Sequence, residues 1–440
     1  MAKGDKTHTD IVIFSVGNLN VGDNAILMSW LYYYRNLYGE KCRITIYGAE
    51  VSYLSELTCD LPYKVIVSNV LHRYIWESYS SLDYEKVETA VSELIDQVEA
   101  ISDRFDYAVN ALNRSFRHTD FIHIVGGGII NNKWKDVHFM IMAAVGLAEK
   151  YGKKIFMTGQ TIGPLDEDDK VRLRPVFQKV DLIDLRDHSC EQYLKSCGCN
   201  VQVTMDDVLI HTLPCDQSQI AIELGHLIET PHINLCFQEW ALKEEDRKRY
   251  EIVKKETAAF LEWYCSRHND VQINIMEFMP LDQDMKCGRE IVGYLNDEIR
   301  NRCRYVCLAN TNFLWGGVLE IIKTARFNIG TRYHMALFSL ENNVSTLSIV
   351  LDDYYGVKLG QIHKLFDSDG CIELNADADE KIEKWMKRRS ETEETKTKSP
   401  DSMKNQKLEN INEIINVCSV QKVNLKNRIC QLIQFFLAKK

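Results

Sequence analysis

The stretch Asn328-Ile-Gly-Thr-Arg-Tyr-His-Met-Ala-Leu-Phe338 decides how this chain is read. Phe327 to Gly330 reads as the end of a strand, and Met335 to Phe338 as a mostly apolar helix, so Arg332 and His334 fall in the first helical turn. The unpaired N–H groups there favour an anion, and an exposed cation opposes the helix dipole at a cost of roughly 0.3–1 kcal/mol. Two potential cations at that place therefore imply a bound phosphate or carboxylate. The plainer alternative is that Arg332 pairs with a nearby Asp or Glu and His334 is a buried structural histidine.

Working outward, the same junction recurs along the chain. Asp10 to Val16, Arg43 to Tyr47, Lys64 to Val67, Phe121 to Val125, Lys154 to Thr158 and Asp181 to Leu185 read as strands, separated by helical patterns such as Ile26 to Tyr38. A second series comprises Ile233 to Phe237, Val271 to Met276, Tyr305 to Leu308, Phe327 to Ile329 and Thr346 to Leu351, with helices over Arg247 to Cys265 and Leu314 to Ala325. Strands alternating with helices predict an α/β protein with parallel sheets. The expected division is an N-terminal domain over 1–215 and a C-terminal domain over 216–386, joined near Leu213 to Pro231. Residues 72–119, with Val87, Val91, Leu94, Ile95 and Val98 at helical spacing, read as a helical insertion.

Several strand ends carry polar or glycine-rich motifs. Gly17-Asn-Leu-Asn-Val-Gly-Asp23 leads into the first helix, where Asp23 is either its N-cap or a functional carboxylate. Gly126-Gly-Gly128 follows the fourth predicted strand, Gly159-Gln-Thr-Ile-Gly-Pro164 the fifth, and Arg186-Asp187 the sixth. This recurrence predicts one cleft along the carboxyl edges of the strands, lined by Asn18, Gly127, Gly128 and Gln160. The spacing is neither the dinucleotide fingerprint nor a Walker motif, which argues against NAD and P-loop chemistry. Asp352-Asp-Tyr-Tyr-Gly-Val-Lys358 reads as a polar loop that brings a lysine to the edge holding Arg332 and His334.

A net charge of −10 argues against a general nucleic-acid binder. The 14 cysteines are scattered through apolar segments and read as reduced thiols. None is arranged at zinc-site spacing, so no metal is expected. The start of the chain has no apolar core of a signal sequence, and no apolar run approaches the roughly 20 residues that span a bilayer, so a cytoplasmic location is expected. Residues 387–440 read as a charged linker from Lys387 to Lys407 and a C-terminal amphipathic helix over Val423 to Lys440. That basic helix suits docking on the protein or resting peripherally on the inner face of the cytoplasmic membrane.

Taken in order, Gly17 to Asp23, Val125 to Gly128, Gly159 to Pro164, Leu185 to Asp187, Asp206, Gly330 to His334 and Lys358 resemble the polysaccharide pyruvyl transferase family over roughly residues 10–375. Three positions depart from its usual pattern: Cys190 stands where serine is common, Asp207 where proline is common, and Tyr333 where leucine is common. The resemblance implies two Rossmann-like domains facing a central cleft, as in the B-type glycosyltransferase fold. It also implies a pyruvyl ketal transferred from phosphoenolpyruvate, a co-substrate rather than a cofactor, to a sugar or lipid-linked oligosaccharide. The N-terminal domain would then take the acceptor and the C-terminal domain the donor. Arg186, Arg332 and Lys358 would bind the donor, His334 would protonate its methylene carbon, and Asp23 would deprotonate an acceptor hydroxyl from the opposite domain. Two alternatives remain open at this stage: a nucleotide-sugar glycosyltransferase of the same fold, and a non-catalytic partner in envelope polysaccharide synthesis.

Overall fold

The computed structural model describes residues 8–15, 19–79, 84–97, 102–210, 224–240, 242–280, 283–307, 315–375, 377–391 and 407–413. Strands form where short apolar runs are buried on both sheet faces, as the burial of every residue of Phe121–Ile124 illustrates. The first sheet contains β1 (Thr9–Phe14), β2 (Cys42–Tyr47), β3 (Lys64–Ser68), β4 (Phe121–Ile124), β5 (Gly127–Ile130), β6 (Lys154–Ile162), β7 (Leu182–Leu185) and β8 (Val201–Val203). Its order is β3-β2-β1-β4-β6-β7-β8, with β5 paired to β6 off that path. The second sheet contains β9 (His232–Cys236), β10 (Gln272–Glu277), β11 (Cys303–Cys307), β12 (Phe327–Gly330), β13 (Thr346–Val350) and β14 (Cys371–Glu373), in the order β11-β10-β9-β12-β13-β14. Among the described residues, the strand pairings in both sheets are parallel.

Both sheets are doubly wound, with the order reversing between β1 and β4 in one and between β9 and β12 in the other. Ligands of open α/β sheets bind outside the strand carboxyl ends at such reversals. The junction carrying Arg332 and His334 follows β12 at the second reversal.

The chain divides into two compact units, and sequence order is not the dividing rule. The first takes residues up to 18, 26–211 and 401 onward; the second takes 19–25 and 212–400. The stretch around Asp23 thus groups with the second unit, not the first. The tail reading is corrected in two places. Residues through 391 belong to the helix Ala378–Glu391, because Ile382, Trp385 and Met386 give it a buried apolar face. Lys407, read as linker, is fully buried at the start of a helical stretch over 407–413. The helix placed over Val423 to Lys440, and most of the linker near Leu213, lie outside the described residues.

The insertion forms the helices Val70–Tyr79, Tyr84–Gln97 and Ser102–His118. Val87, Val91 and Leu94 are buried in the first unit's core, each such side chain stabilising by about 1.5–3 kcal/mol. Ile95 packs so closely on Gly146 that a methyl group there would collide with it. No described helix is long and apolar enough to cross a membrane.

Candidate active site

In the second unit, β12 ends at Gly330, where any Cβ would collide with the backbone oxygen of Cys236 on the neighbouring strand. Glycine is therefore required for β9 and β12 to approach each other. The chain turns through Thr331, whose Oγ1 accepts a hydrogen bond from the Gln238 N–H at 2.9 Å. Arg332 is the extended residue immediately before the helix Tyr333–Glu341, and His334 is the second helical residue. Arg332 thus stands one step earlier than the first-turn position expected.

Arg332 is buried against Asp284, its Nε 3.1 and 3.2 Å from the two carboxylate oxygens, with a further bond from Nη2. Asp284 also accepts from the N–H groups of Phe278 and Met279 at 2.8 and 3.0 Å. Burial raises its carboxyl above the usual range, and Arg332 opposes that rise. The ion-pair alternative for Arg332 is therefore realised, and a buried carboxylate offsets part of the positive charge at the junction.

His334 is buried, its ring centroid 5.0 Å from that of Tyr333. Against the imidazole lies the backbone of Gly22, where an added Cβ would overlap the ring. This segment is held by a bond from Val21 N–H to Phe278 O at 3.0 Å. Asn20, not Asp23, caps the helix Val21–Tyr38: its Oδ1 accepts from Gly22 N–H at 2.8 Å and Asp23 N–H at 3.4 Å. Asp23 follows Gly22 in the same contact unit as His334, so the assignment to the opposite domain is corrected.

Lys358 does not lie in a loop. It is on the helix Asp353–Leu365, which starts where the Asp352 side chain accepts from Tyr355 N–H at 2.9 Å. Its Nζ is 2.9 Å from the Tyr354 hydroxyl and lies over the rings of Tyr354, Tyr333 and Tyr355 at 4.4, 5.3 and 5.5 Å. Aromatic faces attract a cation within about 6 Å. Tyr333, one of the departures from the family pattern, thus links the lysine to the histidine.

In the first unit, Gly127 and Gly159 adopt φ of +147° and +56°, conformations that L side chains rarely adopt. Gly128 is buried and its carbonyl accepts from Asn131 at 2.8 Å. Gln160 is fully buried, and its amide donates to Val125 O and Thr158 O at 3.0 and 2.9 Å. It ties strand ends together, which departs from the cleft-lining expectation. Asn18 lies outside the described residues. Arg186 pairs with Asp206 at 2.5 Å, and its Nε donates to Thr161 at 2.7 Å.

Two polar assemblies were not anticipated. Asn274, Asn234 and Asn328 form a buried ladder across β10, β9 and β12 at 3.1 and 2.7 Å, and Asn328 continues it to Ser339 at 2.8 Å. This pins the helix bearing His334 to the sheet. The readable signal was an asparagine inside each of three apolar runs, Ile-Asn-Leu, Ile-Asn-Ile and Phe-Asn-Ile. In the first unit, Lys407 Nζ lies 2.8 Å from Asp184 and 2.6 Å from Asp207, all three fully buried. Asp207 also accepts from Thr158 and Gly126 N–H at 2.6 and 3.0 Å. Burial opposes the charge on Lys407, but the two carboxylates outweigh it and hold its pKa raised.

Among the described residues, one group has potential metal-ligating atoms close together: Glu239, Cys287 and Glu290. Both carboxylates already meet lysines, Lys286 at Glu239 and Lys254 at Glu290.

This architecture places the protein among two-domain α/β proteins with the B-type glycosyltransferase fold. It resembles a putative UDP-N-acetylglucosamine 2-epimerase from Listeria monocytogenes at TM-score 0.55 and 10% identity, covering 92% of this chain and 97% of that one. A UDP-GlcNAc 2-epimerase from Neisseria meningitidis bound to UDP-GlcNAc gives TM-score 0.55 at 9% identity, covering 92% and 100%. At such identities the likeness concerns the fold alone. By sequence, no curated protein matches significantly. The polysaccharide pyruvyl transferase family model matches residues 20–353, and the chain belongs to that family.

Proposed function

We propose that the protein transfers a pyruvyl group from phosphoenolpyruvate to a sugar of a cell-surface polysaccharide or its lipid-linked precursor, forming a cyclic ketal. The reading is carried by the convergence of His334, Arg332 and Lys358 at one strand-to-helix junction, with Lys358 linked to His334 through Tyr333. A donor bearing a carboxylate and a phosphate needs several fixed cations. A guanidinium has five N–H donors, so Arg332 can hold Asp284 and a donor oxygen together. Lys358 adds a point charge for the phosphate. Arg186, also expected to bind the donor, is held by Asp206 and Thr161 in the first unit.

In the reaction, protonated His334 gives its proton to the donor's methylene carbon, leaving C2 electron-poor. One sugar hydroxyl adds to C2 while Asp23 accepts its proton. A second hydroxyl then closes the ketal as the C2–O bond breaks and phosphate leaves with the electron pair, its proton returning to His334. Each proton transfer contributes about 10²–10⁴-fold.

Thermal-shift titration tests donor identity, because ligand at 100 times its dissociation constant stabilises by about 2.7 kcal/mol. Phosphoenolpyruvate is expected to stabilise the wild type and to do so less in Lys358→Met. His334→Asn should still bind phosphoenolpyruvate but release phosphate at least about 10²-fold more slowly. A shift with nucleotide sugars and none with phosphoenolpyruvate would overturn the donor.

A further inference from the structure

Among the described residues, one face of the first sheet is partly open towards its β3 edge. Alternate side chains share a face, and the register lines up Asp10, Arg43 and Lys64 as one row across β1, β2 and β3. Val12, Thr45 and Ile66 form the next row, and Phe14, Tyr47 and Ser68 the third. Between these rows and the helix Ser102–His118 lies a cavity of about 710 Å³, within the roughly 300–1,000 Å³ of small-molecule sites. The helix is fixed over the third row by a 2.7 Å bond between the Tyr47 and Ser115 hydroxyls. Phe116 packs there against Phe14 and Tyr47, with ring centroids 5.9 and 6.0 Å away.

The lining is graded along the strands. The row at the amino-terminal end carries Arg43 and Lys64, and the helix adds Arg114 and His118 to the same lining. Asp10 is the one acid among the described lining residues, and Arg43 engages it at 2.6 Å. Lys64 and Arg114 therefore leave this end positive within a chain of net charge −10. The middle is apolar, with Val12 beside Ile66, which is 41% exposed. The far end offers the hydroxyls of Tyr47, Ser68 and Ser115. A hollow of about 190 Å³ shares Arg114 and His118 and adds Arg117, extending the cationic end.

Cations in a helix's last turn complement its dipole, which accounts for Arg117 and His118. It does not account for Lys64, which stands on a strand, or for Arg114, a full turn before the helix end. The groove also lies at the amino-terminal ends and along the face of β1 to β3, whereas Gly126 stands just beyond the carboxyl end of β4.

We propose that this groove binds a phosphate monoester carried on an apolar body, with the phosphate between Lys64 and Arg114 and the apolar part on Val12 and Ile66. Arg114 supplies a planar fork for two phosphate oxygens and Lys64 a point charge. The ligand is a discrete small molecule, since a cavity of about 710 Å³ beneath a helix has the size of a small-molecule site. The assignment does not depend on the transfer reaction.

Calorimetric titration with phenyl phosphate tests it on the wild type and on Lys64→Glu, Arg114→Glu and Ile66→Ser. Lys64 and Arg114 are exposed, so both charge reversals should keep the wild-type melting temperature, and each should weaken binding at least about tenfold, or 1.4 kcal/mol. Ile66→Ser should weaken phenyl phosphate but not inorganic phosphate. Unaltered affinity in both charge reversals would overturn the site. Charge-dependent co-sedimentation with phosphatidylglycerol vesicles, without phenyl phosphate binding, would replace it with a membrane surface.

Discussion

The imidazole of His334 lies against the backbone of Gly22, leaving no room at that position for a β-carbon. The first turn of the helix Val21–Tyr38 is therefore a wall of the histidine's site. Gly22→Ala should push the ring aside while leaving the cap made by Asn20 in place. Misplacing a reacting group by about 1 Å can cost on the order of 10²-fold. Turnover should fall by that factor with helix content and donor affinity preserved, read by phosphate release beside circular dichroism and thermal shift. Full turnover would show that His334 tolerates displacement and is not the proton donor.

Lys407 sits between Asp184 and Asp207 with no solvent contact. Lys407→Met would leave two buried carboxylates without their cation, and breaking a buried pair costs roughly 3–5 kcal/mol. The variant should unfold at clearly lower urea. Burial already raises the Asp184 carboxyl against the pull of Lys407, so removing the cation should raise it further, and the variant's stability should recover as pH falls towards the ordinary carboxylate range. A wild-type urea midpoint would show that the tail lysine contributes nothing to the first unit.

The sheets were legible because they rest on local pattern: apolar runs such as Phe121 to Val125 and Ile233 to Phe237 become β4 and β9 nearly residue for residue. The helix carrying Lys358 was misread because Asp352-Asp-Tyr-Tyr-Gly is polar and glycine-bearing, yet Asp352 is its N-cap and Tyr354, Tyr355 and Leu359 are buried. Short β8 and β14 carry too few residues for a period to show. What no local pattern could reveal is partnership at long range. Asp284 lies 48 positions from Arg332, and Lys407 lies 200 or more from both of its carboxylates. Asp207, a departure from the family's usual pattern, is one of that lysine's two carboxylate partners.

Buried histidines give the last prediction its sign. Burial pushes His138 and His363 down to about 4 from an ordinary 6.5. His138 is packed beside Asp169, with Lys135 and Arg172 opposing its protonation. His363 bridges the hydroxyls of Ser348 and Ser368 at 2.8 and 3.0 Å. Each folds neutral, so below pH 6.5 the unfolded chain binds more protons than the folded one. The stability that each contributes is complete above 6.5 and is lost as pH falls from there through 4. Each tenfold loss of proton affinity on folding corresponds to about 1.4 kcal/mol, so the full loss is roughly 3 kcal/mol apiece. Urea midpoints measured between pH 7.5 and 4 should therefore fall steadily, and His363→Gln should flatten the slope by about one proton. A flat profile in the wild type would mean that one or both rings are charged in the folded protein.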